Sequence, residues 1–74
     1  MVARILLWDL AESAMAVEDV REQLPDLPAG DRWIWNSARE RLGLISFAPE
    51  PPDVSALVEL IGEEPAVVEE FDSG

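Results

Sequence analysis

The 74-residue chain contains no cysteine, histidine, lysine or tyrosine. Without cysteine there is no disulfide and no thiolate zinc site to staple so small a domain. The missing residue types are also the common nucleophiles, proton shuttles and Schiff-base amines. Ser13, Ser37, Ser46 and Ser55 have no histidine to activate them. Carboxylates, serines and arginines remain, and so many acids on a short chain produce adjacent carboxylates without any catalytic purpose. The expectation is a protein that is not an enzyme and uses no cofactor. Long apolar runs are absent too. The longest, Val2 to Trp8, is too short for a membrane span and lacks the small-residue cleavage site of a signal peptide. The expected location is the cytoplasm, with no membrane contact.

What is present is acid. Sixteen Asp and Glu face five bases, all arginine, for a net charge of −11. The imbalance is uneven. Residues 1–41 hold eight acids and all five arginines, and residues 42–74 hold eight acids and no base. Such a surface repels nucleic acid and anionic lipid and attracts basic protein surfaces. Acidity also keeps a small protein soluble, whatever its function. Hydrophobic residues make up 49% of the chain and three are tryptophan, so this is a folding domain and not a disordered tail. The length predicts a single domain over residues 1–74 with one core and modest stability, which association with a second copy would raise. The lack of lysine, with richness in Ala, Arg, Pro and Glu, hints at a GC-rich coding sequence, bacterial or phage.

Val2 to Trp8 is apolar on both alternating faces, the pattern of a central strand. Asp9 to Ser13 connects it to a helix of about three turns, with Ser13 as N-cap and Val17, Val20 and Leu24 as its apolar stripe. Pro25 ends that helix, and Pro28-Ala29-Gly30-Asp31 turns the chain. Arg32 to Ser37 is the second strand and Leu42 to Phe47 the third, joined by a charged hairpin loop at residues 38–41. A short helix over residues 36–42 competes with that hairpin, because no Asn-Gly or similar dipeptide is present. Ala48-Pro49-Glu50-Pro51-Pro52 is an extended lead-in to a second helix. That helix has Pro52 and Asp53 at its start, a stripe of Val54, Leu57, Val58 and Ile61, and Gly62 as its C-cap. Ala66 to Phe71 is an edge strand whose paired glutamates discourage aggregation, and Asp72-Ser73-Gly74 is a frayed end. There is no internal repeat.

The expected order is strand, helix, strand, strand, helix, strand. This is the α+β, ferredoxin-like β-α-β-β-α-β pattern, a four-stranded antiparallel sheet with both helices on one face. If Ile34, Ile45 and Phe47 face the helices, the open face holds Leu6, Trp8, Trp33, Trp35, Leu44 and Ser46. A surface with three tryptophans is too apolar to leave in water, so Leu6, Trp8, Trp33, Trp35 and Leu44 are candidate interface residues. A slip of one residue reverses both faces and sends the tryptophans into the core.

An open sheet with aromatics can be an RNA platform, but this chain has no basic track for phosphate, and direct nucleic-acid binding is not expected. Glu63, Glu64, Glu69, Glu70 and Asp72 offer oxygen ligands for Mg²⁺ or Ca²⁺, yet no ligand loop with the needed spacing is present, and no metal site is expected. Two functions remain. In the first the chain is a small acidic protein-binding module whose partner is a protein with a basic surface. Its carboxylates would imitate a phosphate track, as nucleic-acid-mimicking inhibitors of the phage anti-defence or antitoxin type do. Size and charge carry that reading, not a motif. The binding residues are Glu50, Asp53, Glu59, Glu63, Glu64, Glu69, Glu70 and Asp72. In the second it is a self-associating ferredoxin-like module, a homodimer through the tryptophan-lined face, which binds a ligand or regulates another subunit. No Gly-rich phosphate loop or other ligand signature is present.

Overall fold

The computed structural model describes residues 2–50 and 52–72. Pro51, inside the expected Pro-rich lead-in, and Ser73 and Gly74, in the expected frayed end, lie outside the described residues. The elements are β1 (Val2–Asp9), α1 (Val17–Arg21), β2 (Arg32–Asn36), β3 (Arg41–Ser46), α2 (Ser55–Ile61) and β4 (Val67–Asp72). The four strands form one antiparallel sheet, hydrogen-bonded in the order β2-β3-β1-β4. With the two helices this is a small α+β domain.

The hairpin between β2 and β3 replaces the competing helix over residues 36–42. Its turn is made by side chain and backbone together. The Asn36 carboxamide oxygen accepts the Arg39 amide at 3.1 Å, and Glu40 takes a left-handed conformation with φ 52°. The asparagine side chain supplies the turn chemistry that a hairpin dipeptide otherwise provides. At the other end of the hairpin, the Asp31 carboxylate accepts the Ser46 hydroxyl at 2.9 Å and the Phe47 amide at 3.0 Å. This ties the start of β2 to the end of β3 and satisfies a fully buried serine.

The first helix is shorter than its stripe suggests. It covers Val17–Arg21, little more than one turn, and begins after Ala16 with no side-chain cap. Ser13 is not its N-cap. The Ser13 hydroxyl instead accepts the Met15 amide at 3.2 Å and holds a separate turn before the helix. Leu24 lies beyond the helix and packs against the core from the loop. The second helix ends as the sequence predicts. Gly62 is left-handed at φ 85° and its amide returns to the Val58 carbonyl.

The expected face assignment is reversed. Leu6, Trp8, Leu42 and Leu44 are buried, together with Val17 and Val20 of α1 and Leu57 and Ile61 of α2. The tryptophan-bearing side of the sheet is therefore the helix-covered side. Ile5, Ile34 and Ile45 alternate onto the open side, as does Phe47 just beyond β3. The physical reason is helix length. Two helices of five and seven residues bring only four buried side chains to the core, so the sheet must supply the bulk, and an indole supplies more than an isoleucine. Trp8 is 1% exposed, and its Nε1–H donates to the Glu63 carbonyl at 3.1 Å, which removes the penalty of burying that donor. Arg4 is buried on the same side because it is neutralised by Glu70 at 3.0 Å and also donates to the Ala48 carbonyl.

Glu40 is the one described non-glycine residue with a positive φ. Its left-handed backbone costs an L-residue about 1 kcal/mol. Glu40→Gly is expected to raise the midpoint of thermal unfolding by about 4 °C, measured by circular dichroism. An unchanged or lowered midpoint contradicts this account of the turn.

Candidate acidic binding surface

Two grooves on the helix side of the molecule meet at Pro52, Asp53 and Val54. The first hollow runs between the loop after α1 and the chain leading into α2. It has a volume of about 310 Å³ and a floor of Pro25, Leu27, Pro28 and Trp33. Asp26, Asp31, Glu50 and Asp53 line its rim. The second groove, about 380 Å³, follows α2 and is lined by Asp53, Ser55, Val58, Glu59 and Glu64. No arginine lines either groove. The local structure explains the rigid walls. Proline fixes the backbone on both sides of the first hollow, and the Trp33 indole donates to the Pro25 carbonyl at 3.0 Å, which locks the loop onto β2.

Asp53 sits where the two grooves join. Its Oδ1 accepts the Ser55 hydroxyl at 2.7 Å and the Ser55 amide at 3.0 Å. These bonds favour the carboxylate and hold its pKa below the ordinary aspartate value. Asp31, by contrast, is committed to Ser46 and Phe47, so one of the rim carboxylates is also a structural clamp.

Of the eight acids the sequence singles out, Glu50, Asp53, Glu59 and Glu64 are brought together along the joined grooves. Glu63 follows Gly62 at the end of α2, where its carbonyl holds Trp8. Glu69 and Glu70 are separated by strand alternation. Glu70 turns to the helix side and pairs with Arg4, while Glu69 turns to the open side. Asp72 closes β4 opposite Val2. Among the described residues, no three acids converge on a point that could hold a metal ion. Asp26 and Trp33 belong to the groove but are not in the sequence-based acidic set. A Pro-flanked acid seven residues before a strand tryptophan is the signal that points to them.

The five interface candidates disperse. Leu6, Trp8 and Leu44 are core residues, and Leu6 and Leu44 face each other across β1 and β3. Trp33 is half-buried in the groove floor. Trp35, 46% exposed at the β2 edge, lies under the Arg21 guanidinium, 4.0 Å from the ring centroid. Arg21 also donates to Glu18 at 2.9 Å, and Glu18 accepts the Ser37 hydroxyl, so this network pins α1 to the hairpin. These five residues do not form an open interface.

No helix among the described residues is long and apolar enough to cross a membrane. The chain matches no protein-family model and no curated protein. The surface must be judged on its chemistry.

The Asp53 geometry gives a direct test. A carboxyl-detected NMR titration is expected to show Asp53 ionising below the ordinary aspartate range. Ser55→Ala should move that midpoint upward, because it removes the hydroxyl hydrogen bond that most favours the carboxylate. Any stability contributed by the Asp53–Ser55 bonds is present above the ordinary aspartate pKa and is lost as pH falls through the lowered one. An unmoved midpoint in Ser55→Ala contradicts the assignment.

Proposed function

We propose that the chain is a small acidic, non-enzymatic protein-binding module with ferredoxin-like topology, which acts in the cytoplasm and docks on the basic surface of another protein. The strand order and the packing of both helices against one core support that topology. The observation that carries the function is the continuity of the two grooves. Carboxylates at Asp26, Glu50, Asp53, Glu59 and Glu64 follow one surface with no intervening base. Spaced along rigid walls, they match a protein that normally binds a phosphate backbone, so the module would act as a nucleic-acid-mimicking inhibitor. Trp33 adds a flat apolar floor on which a partner's guanidinium can stack. The chain already uses that contact internally, where Arg21 covers Trp35.

The test is capture from a GC-rich bacterial lysate at low and then high salt, followed by affinity measurement on the isolated prey. A basic nucleic-acid-binding protein should bind at low salt, release at high salt and be displaced by duplex DNA. The triple variant Glu50→Gln, Glu59→Gln, Glu64→Gln should lose about tenfold in affinity. A control with the same net charge, Glu12→Gln, Asp19→Asn, Glu22→Gln, should lose much less. Equal losses in the two variants would mean that only overall charge matters, and would sink the groove as a binding site.

A further inference from the structure

We propose that two copies of this chain associate face to face across the open side of the sheet, about a two-fold axis that runs parallel to the strands between β1 and β3. The open side is apolar. Ala3, Ile5 and Leu7 alternate onto it from β1, and Ile45 joins them from β3. Ile34, Phe47, Val67 and Phe71 stand on the same side and are 40–45% exposed. With strands about 4.8 Å apart and about 3.4 Å per residue, this face measures roughly 19 by 20 Å. Closing it on a second copy buries roughly 800 Å² over the two faces together, the size of a weak, transient interface. The pair is therefore concentration-dependent.

The charges on the face identify the occupant as a second copy. Cross-strand partners place Arg32, Ile45, Ile5 and Glu69 in one row from edge to edge. Arg32 and Glu69 lie at opposite edges, about 14 Å apart, and neither has an ion-pair partner among the described residues. A two-fold axis along the strands lays β2 of one copy over β4 of the other. Each Arg32 then meets the other copy's Glu69, twice over, while isoleucine meets isoleucine between them. Two rows along, Arg41 and Asp9 are already paired at 4.0 Å. The same axis exchanges them, so each Arg41 also meets the other copy's Asp9. The row between reads Ile34, Gly43, Leu7, Val67. Gly43 has no side chain there, because a Cβ would come within 2.7 Å of Leu7 and 2.9 Å of Ile34. The result is a shallow concavity of about 250 Å³ beside Ile34 and Leu7, and Leu7 of the second copy lies opposite it. Aligned sheets rotate by about 30°, which shifts the edge rows by an amount an arginine side chain can span. No other partner is called for by a face that is apolar at its centre and carries its own complementary charges at its edges. An acidic or basic partner would satisfy only one edge.

Sedimentation equilibrium of the full chain over a broad concentration range tests the pairing. The wild-type chain should show a monomer–dimer equilibrium that persists in about 0.5 M salt, because the centre of the contact is apolar. Arg32→Glu alone and Glu69→Arg alone should each raise the dimer dissociation constant about tenfold or more. An equimolar mixture of the two variants should dimerise again, since the mixed pair restores both contacts. Both sites are exposed, and circular dichroism verifies that each variant is folded. Ile34→Asp gives an independent disruption in the apolar row between the two charged rows. A wild-type chain that stays monomeric, or a dimer indifferent to the charge reversals and to Ile34→Asp, overturns the proposal. The triple groove variant should dimerise normally, so failure of this pairing and failure of the acidic docking surface are read separately.

Discussion

The indole of Trp8 fills the space between the middle of the sheet and the end of α2, and it is held there by one hydrogen bond to the Glu63 carbonyl. Much of the architecture follows from that placement. It decides which side of β1 faces inward, and through the strand register it decides the same for β3, β2 and β4. It positions the turn after α2, from which the chain returns to pair with β1 as the Ala66 amide meets the Leu7 carbonyl at 2.7 Å. It also lets two very short helices suffice as a covering layer. Neither helix is long enough to be stable alone, so both depend on the apolar surface the sheet presents to them.

The tertiary clamps are of the same economical kind. Asp31 closes one end of the β2–β3 pair and the Asn36 turn closes the other. Arg4 spans from β1 to Glu70 on β4 and to Ala48 just after β3. Among the described residues no buried side-chain donor or acceptor lacks a partner. For a chain without disulfides this matters, because an unmet buried polar group costs a sizeable share of so small a domain's stability.

Element order was legible in the sequence, and the reasons are local. The apolar run at Val2–Trp8, the prolines around residues 25 and 52 and the glycine at 62 each act within a few residues of themselves. What was not legible required distance. The periodicity of Val17, Val20 and Leu24 suits a three-turn helix, yet the chain stops after Arg21 and lets Leu24 reach the core from a loop. The sheet faces are the reverse of the expected assignment, because β1 is apolar on both faces and alternation alone does not say which face the helices cover. The helix lengths that reverse that choice are themselves a tertiary outcome. The acidic half of the chain was visible as charge, but alternation along β4 sends Glu69 and Glu70 to opposite sides. Asp26, from the other half, joins the groove only because the loop after α1 folds against Pro52 and Asp53.

The arginines are not spread evenly over this frame. Arg4 is buried against Glu70, and the other four lie on the α1–hairpin side: Arg21 over Trp35, Arg32 and Arg41 on the paired strands, and Arg39 in the turn. The α2–β4 side carries acids alone. The negative charge is therefore densest on the α2–β4 side. The field of a basic body would exert a torque on so uneven a charge distribution before contact, and would turn the α2–β4 side forward during approach. Encounters would thus begin already oriented, with the hairpin trailing.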